Sequence, residues 1–139
     1  MTNDRKASPM SARFALIVCA FGLFLATGCG PAKLNETKTL SVEPGAPVAV
    51  DLAAQPKPQK VTVEYSSAED VTVLVMKEAD AKGEEGLINA DIPTNKAKAL
   101  ASKKGKGETF TADVPENTAV RVIFSGNKTT KVNVKLTNK

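Results

Sequence analysis

From Leu40 onward the chain alternates apolar and polar residues with a period of two. Leu40 and Val42 share a parity, as do Val48, Val50 and Leu52, then Val61, Val63 and Tyr65. The pattern returns at Phe110, Ala112 and Val114, at Val120, Val122 and Phe124, and at Val132, Val134 and Leu136. Successive strand side chains point to opposite faces, so this spacing predicts strands with one buried face. Glu43-Pro44-Gly45, Pro115-Glu116-Asn117 and Gly126-Asn127 carry turn chemistry between the runs. Residues 53–59 contain Pro56 and Pro58, which cannot donate to a sheet ladder, and read as a loop. Residues 71–76 break the alternation because they are apolar almost throughout. That predicts a central strand covered on both faces.

Two stretches are less regular. Residues 80–95 hold Gly83, Gly86 and Pro93, with apolar content only at Leu87, Ile88 and Ile92, and read as a long loop. Residues 96–104 fit either a short helix capped by Asn95 or a strand. The strand reading pairs residues 97–102 with 109–114 across a hairpin at 103–107, where Gly105 and Gly107 permit a tight turn. Together the runs predict an all-β domain over residues 39–139, a small antiparallel β-sandwich of seven or eight strands.

The N-terminal region has a different organisation. Residues 1–13 are polar and carry Arg5, Lys6 and Arg13 against Asp4; residues 14–26 are apolar; Ala26-Thr27-Gly28-Cys29 closes the segment with small residues. This is the order of a secretory signal. The Leu25-Ala26-Thr27-Gly28-Cys29 stretch resembles the lipobox of bacterial lipoproteins. The resemblance implies cleavage between Gly28 and Cys29, with acyl chains such as palmitate on Cys29. Residues 1–28 are then a signal peptide, and residues 29–38 are the lipidated cysteine and a polar tether. The apolar run would span about 20 Å as a helix, short of a hydrocarbon core of about 30 Å. Extending it to Ala32 would reach further, but Thr27-Gly28-Cys29-Gly30-Pro31 is a poor helix end to bury in lipid. Gly30 replaces the Asp that favours inner-membrane retention in enterobacterial lipoproteins. The resemblance thus implies a lipid-anchored envelope protein at the outer membrane or cell surface.

Composition narrows the function. The 139 residues include 19 Lys and Arg against 15 Asp and Glu, for a net charge of +4. Three of those bases and one acid precede Cys29, so the remainder sits near +2. Such near balance argues against electrostatic nucleic-acid binding. Of the two cysteines, Cys19 lies in the signal and Cys29 is the acylation site, which leaves the domain of about 110 residues to rely on its core. The chain has no His. Imidazole-based zinc sites and Ser-His-Asp or Cys-His devices are therefore excluded. No cofactor motif is present, and an enzyme is not expected.

The C-terminal two-thirds also resembles the bacterial pre-peptidase C-terminal domain, a small β-sandwich appended to secreted proteins. The matching features are the apolar strand at 70–76, then Leu100-Ala101-Ser102 entering a Gly/Lys turn. Residues 108–114 follow, leading into Pro115-Glu116-Asn117, and residues 120–125 and 131–137 close the sheet. The family's acidic pair is reduced here to Glu69 and Asp70, and Ala119 and Val120 stand where the family has an aromatic. The resemblance implies a non-catalytic accessory role.

Candidate sites follow from charge. Glu78, Asp80, Glu84, Glu85 and Asp91 form an acidic cluster whose start imitates a calcium loop. Lys82 at a ligand position and Asn89 where a bidentate Glu belongs spoil that pattern, so the cluster reads as a solvated loop. Lys96, Lys98, Lys103, Lys104 and Lys106 form a basic run. Lysine on a strand edge discourages aggregation. The same run could contact anionic head groups or acidic polysaccharide, although it lacks an aromatic to stack on bases. Phe110 and Phe124 are assigned to the core, and Tyr65 alone is a thin basis for a sugar platform. The expected partners are the membrane, through the anchor, and an envelope protein or cell-wall polysaccharide.

Overall fold

The computed structural model describes residues 32–81 and 98–139. They form six strands: β1 (Asn35–Val42), β2 (Val48–Leu52), β3 (Gln59–Lys77), β4 (Ala101–Val114), β5 (Val120–Gly126) and β6 (Thr130–Asn138). One helical turn, α1 (Glu78–Ala81), follows β3. Every ladder is antiparallel, in the order β1-β6-β3-β5-β2, with β4 on the other side of β3. The predicted antiparallel β-sandwich is thus found, nearly closed into a barrel. Among the described residues no helix is long and apolar enough to cross a membrane.

The two layers share β3. Its first half, Val61 to Ser67, pairs with β6, and its second half, Val71 to Lys77, pairs with β5. β4 follows β3 through both layers. Between the halves the register breaks: Ser67, Ala68, Glu69 and Asp70 oppose only Lys106 on β4. Extra residues on one strand bend it and raise its twist. This bulge is the corner at which a strand passes from one layer to the other. Residues 61–65 and 71–76, read as separate strands, are two ends of one 19-residue strand. That fusion, with the continuous β4 where an eighth strand would end, accounts for six described strands rather than seven or eight.

The predicted hairpin at 103–107 is not formed. Residues 101–114 run as one strand, and Gly105 and Gly107 sit opposite Val71 and Ser66 at the corner. At Gly107 the strands approach closely, since a Cβ there would lie 3.3 Å from the Tyr65 carbonyl oxygen. The glycines serve the bend rather than a turn. The Glu43-Pro44-Gly45 turn is where the sequence put it. Ala46 N–H donates to Glu43 O at 3.1 Å, and Gly45 has φ +74°. Pro followed by a positive-φ Gly is the signature of a type II turn. Asn117, with φ 53°, turns the β4–β5 connection. β1 begins at Asn35, so residues 35–38, read as tether, are strand.

The core lies between the layers. Val42, Val61, Val63, Val71, Val73, Val75, Val122, Phe124 and Val132 are fully buried there. Tyr65 packs edge-on against Phe110 and Phe124, each with ring centroids 6.5 Å apart. A second cluster covers the outer side of the β3–β5 layer, where Leu74, Met76 and Ile123 are buried with Ala81, and Ala99 packs against them. The strand at 71–76 is therefore covered on both faces, as its nearly continuous apolar character predicts.

Candidate functional site: the lysine-bearing edge and the corner cleft

Strand alternation decides how the basic run is presented. Lys103 pairs with Val73, a core residue, and so lies on the inward side at the sandwich margin. Lys104 pairs with Thr72 on the opposite face. Lys106 stands against the bulge, and its carbonyl lies 3.1 Å from Ser67 Oγ. The run is thus distributed over two faces and a corner. Lys98 is helical and exposed, just before the β4 strand begins at Ala101. Lys96, Gly28 and Cys29 lie outside the described residues. β4 pairs with β3 alone among the described strands, so Lys103, Lys104 and Lys106 do line an edge. Sequence reasoning placed them on an edge but treated them as one patch.

A shallow cleft of about 220 Å³ opens at the corner. Glu69, Asp70, Thr72 and Lys104 line one side, and Gly126 and Lys128 the other. Lys128 Nζ donates to Glu69 Oε2 at 3.3 Å, which closes part of the cleft with a solvent-screened ion pair. Pockets for drug-sized ligands span about 300–1,000 Å³ with apolar walls. This cleft is smaller and mixed in charge. It suits an ion-pairing contact better than an enclosed ligand.

The other flagged residues have ordinary surroundings. Glu78 and Asp80 belong to α1, a helical turn rather than a calcium loop, while Glu84, Glu85 and Asp91 lie outside the described residues. Among the described residues no group of three or more acidic, Cys or His side chains could hold a metal. Ser67 Oγ approaches the Glu69 and Lys106 carbonyl oxygens at 2.6 and 3.1 Å and braces the bulge. Phe110 and Phe124 are core, as expected. Tyr65 is 3% exposed, which removes it as a sugar platform. Its hydroxyl is buried without a hydrogen-bond partner. Burial, with Glu108 and Asp70 nearby, pushes its pKa up to about 12.

One arrangement escaped sequence reasoning altogether. Asn138, near the end of β6, donates from Nδ2 to Ala32 O and to Gln59 Oε1, both at 2.9 Å. Its Oδ1 accepts the Leu34 N–H at 2.7 Å. Gln55 Oε1 accepts the Ala32 N–H at 3.1 Å. A lone Asn at the end of a predicted strand gives no hint of this clamp, because its partners are more than 75 residues away.

No family model matches the chain, and no curated protein matches it.

Proposed function

We propose that this chain is an envelope lipoprotein, acylated on Cys29 after cleavage at Gly28, whose β-sandwich is a non-catalytic structural or protein-interaction module at the membrane surface. The observation that carries the proposal is the order of residues 1–29: a basic start, a short apolar run and small residues ending in cysteine. The fold supports the module half of the reading. Its candidate surfaces among the described residues are the lysine-bearing β4 edge and a shallow mixed-charge cleft, both suited to ion-pairing contact with a partner. The resemblance to the pre-peptidase C-terminal domain supports the accessory role at the level of fold only. One acyl chain binds reversibly, at about 0.8 kcal/mol per buried methylene, and a second makes attachment stable. Cys29→Ala is therefore expected to move the protein from the membrane fraction to the soluble envelope fraction. Equal membrane retention of wild type and mutant would overturn the anchor.

A second reading, a module for acidic polysaccharide or another anionic surface, draws on Lys103, Lys104 and Lys106 along β4 with Lys98 nearby. Retention on anionic glycans that falls with salt, and falls again when these four residues and Lys96 become Ala, would favour it. Retention indifferent to both would reject it.

A further inference from the structure

The Asn138 clamp fixes where the chain leaves the domain. Ala32 and Leu34 are tied to Asn138 and Gln55, and Ala32 is only three residues after Cys29 in the sequence. Three residues reach at most about 10 Å. Lys60 and Lys139 exchange backbone hydrogen bonds at the same end, at 3.2 and 3.1 Å. Gln59 lines two neighbouring hollows there, one with Lys33 and Gln55, the other with Lys60, Asp113 and Pro115. The corner lies at the other end of the β3–β6 ladder. From Gln59 to Ser66, opposite Gly107, is seven residues, or about 23 Å of strand.

We infer that the end of the sandwich bearing Lys33, Gln55, Lys57 and Lys60 is its membrane-facing surface, set against phospholipid head groups, and that the corner with Lys104, Lys106 and Lys128 projects away from the bilayer. This rests on the reading of Cys29 as the acylated N-terminus. The leash is shorter than the strands are long, so the clamped end stays at the head groups. A lysine side chain does not bridge the remaining distance, so the corner lysines meet cell-wall polymer or another protein rather than the anchoring leaflet. Lys57 is exposed in the loop before β3. Lys60 lies 3.5 Å from Asp113 in a solvent-exposed pair that leaves it accessible to head groups.

Both native cysteines are occupied or removed under this reading, which makes an added cysteine a unique labelling site. Full-length protein carrying Lys57→Cys, Asn133→Cys or Lys106→Cys would be purified from membranes, labelled with a donor dye and reconstituted in vesicles with acceptor-labelled phosphatidylethanolamine. The inference expects transfer strongest from position 57 and at least about threefold weaker from position 106, given the roughly 20 Å between the two ends. Asn138→Ala, which loosens the clamp, should narrow that spread. Equal transfer from all three sites, or the strongest transfer from 133 or 106, would overturn the orientation. The N-terminal mass of each preparation separates the two claims. Acylated protein with equal transfer rejects the orientation alone, whereas an unacylated N-terminus rejects the anchor and the orientation with it.

Discussion

β3 contributes to both layers, and its outward residues change character at the corner. In the first layer they are Thr62, Glu64 and Ser66, flanked by Lys135 and Asn133 on β6 and by Thr109 and Thr111 on β4. In the second they are Thr72, Leu74 and Met76, with Ile123 on β5 opposite Leu74. The first face is exposed or half-buried, while Leu74 and Ile123 are 0% and 2% exposed. A solvated sheet face keeps strict alternation, and a covered one loses it. The difference separates the part of the molecule that faces water from the part that is internal scaffold.

The edges repeat the contrast. On β1, Glu36 and Lys38 lie opposite the core residues Leu136 and Val134 and therefore point toward the interior side, where they pair at 3.0 Å. Inward-pointing charge on an edge strand blocks pairing with another sheet. On β2, the edge residue Asp51 accepts from Arg121 Nε at 2.6 Å and from its Nη2 at 3.2 Å across the ladder. β4, with three lysines, is the third edge. Among the described strands all three edges are guarded by charge.

The largest expected effect tests the two faces directly. Leu74→Ala should lower unfolding free energy by about 3 kcal/mol, because the covered face cannot collapse around the lost side chain. Glu64→Ala on the open face should change it by no more than about 0.5 kcal/mol. Urea unfolding of both variants measures this, and similar losses would erase the distinction between the faces. Next in size is the alkaline limb. The Tyr65 hydroxyl holds its proton more tightly in the folded chain than the ordinary value of 10.0 allows. Its contribution is therefore intact below about pH 10 and is lost as pH rises toward about 12, at up to about 1.4 kcal/mol per pH unit. In Tyr65→Phe that part of the decline should vanish. Parallel stability–pH curves for wild type and variant between pH 9 and 12 would contradict it.

Two smaller effects sharpen the account of the core and turns. At neutral pH Tyr65→Phe should be stabilising by about 1 kcal/mol, since it removes a buried hydroxyl that has no partner. A clear loss in thermal unfolding would mean that the hydroxyl is satisfied in solution. Gly45→Ala should cost about 1 kcal/mol, because alanine is strained at φ +74°. A neutral result would show that the β1–β2 turn adopts another conformation.

Much of this fold was legible in the chain. Period-two alternation marks inward residues at 40–42, 48–52, 61–65, 110–114, 120–124 and 132–136, and the nearly continuous apolar run at 71–76 announces the covered face. Val122-Ile123-Phe124 carried the same information, because adjacent apolar residues on one strand imply cover on both sides. What was not legible depends on pairing. Ser66 through Asp70 look like a turn between two strands, and only the ladders to β4, β5 and β6 show that they bend one. Gly105 and Gly107 look like a hairpin for the same local reason. The site was less legible than the fold, since alternation places Lys103 and Lys104 on different faces only once the strand is known to continue past them. The Asn138 clamp joins the two ends of the domain and leaves no local trace.

The proposed lipoprotein rests on the chemistry of Cys29, and the intact mass of the protein extracted from membranes tests it. The expected chain begins at Cys29 and carries two or three acyl groups, which the Cys29→Ala variant lacks. A chain that retains residues 1–28, or begins at Cys29 with no added mass, would contradict it.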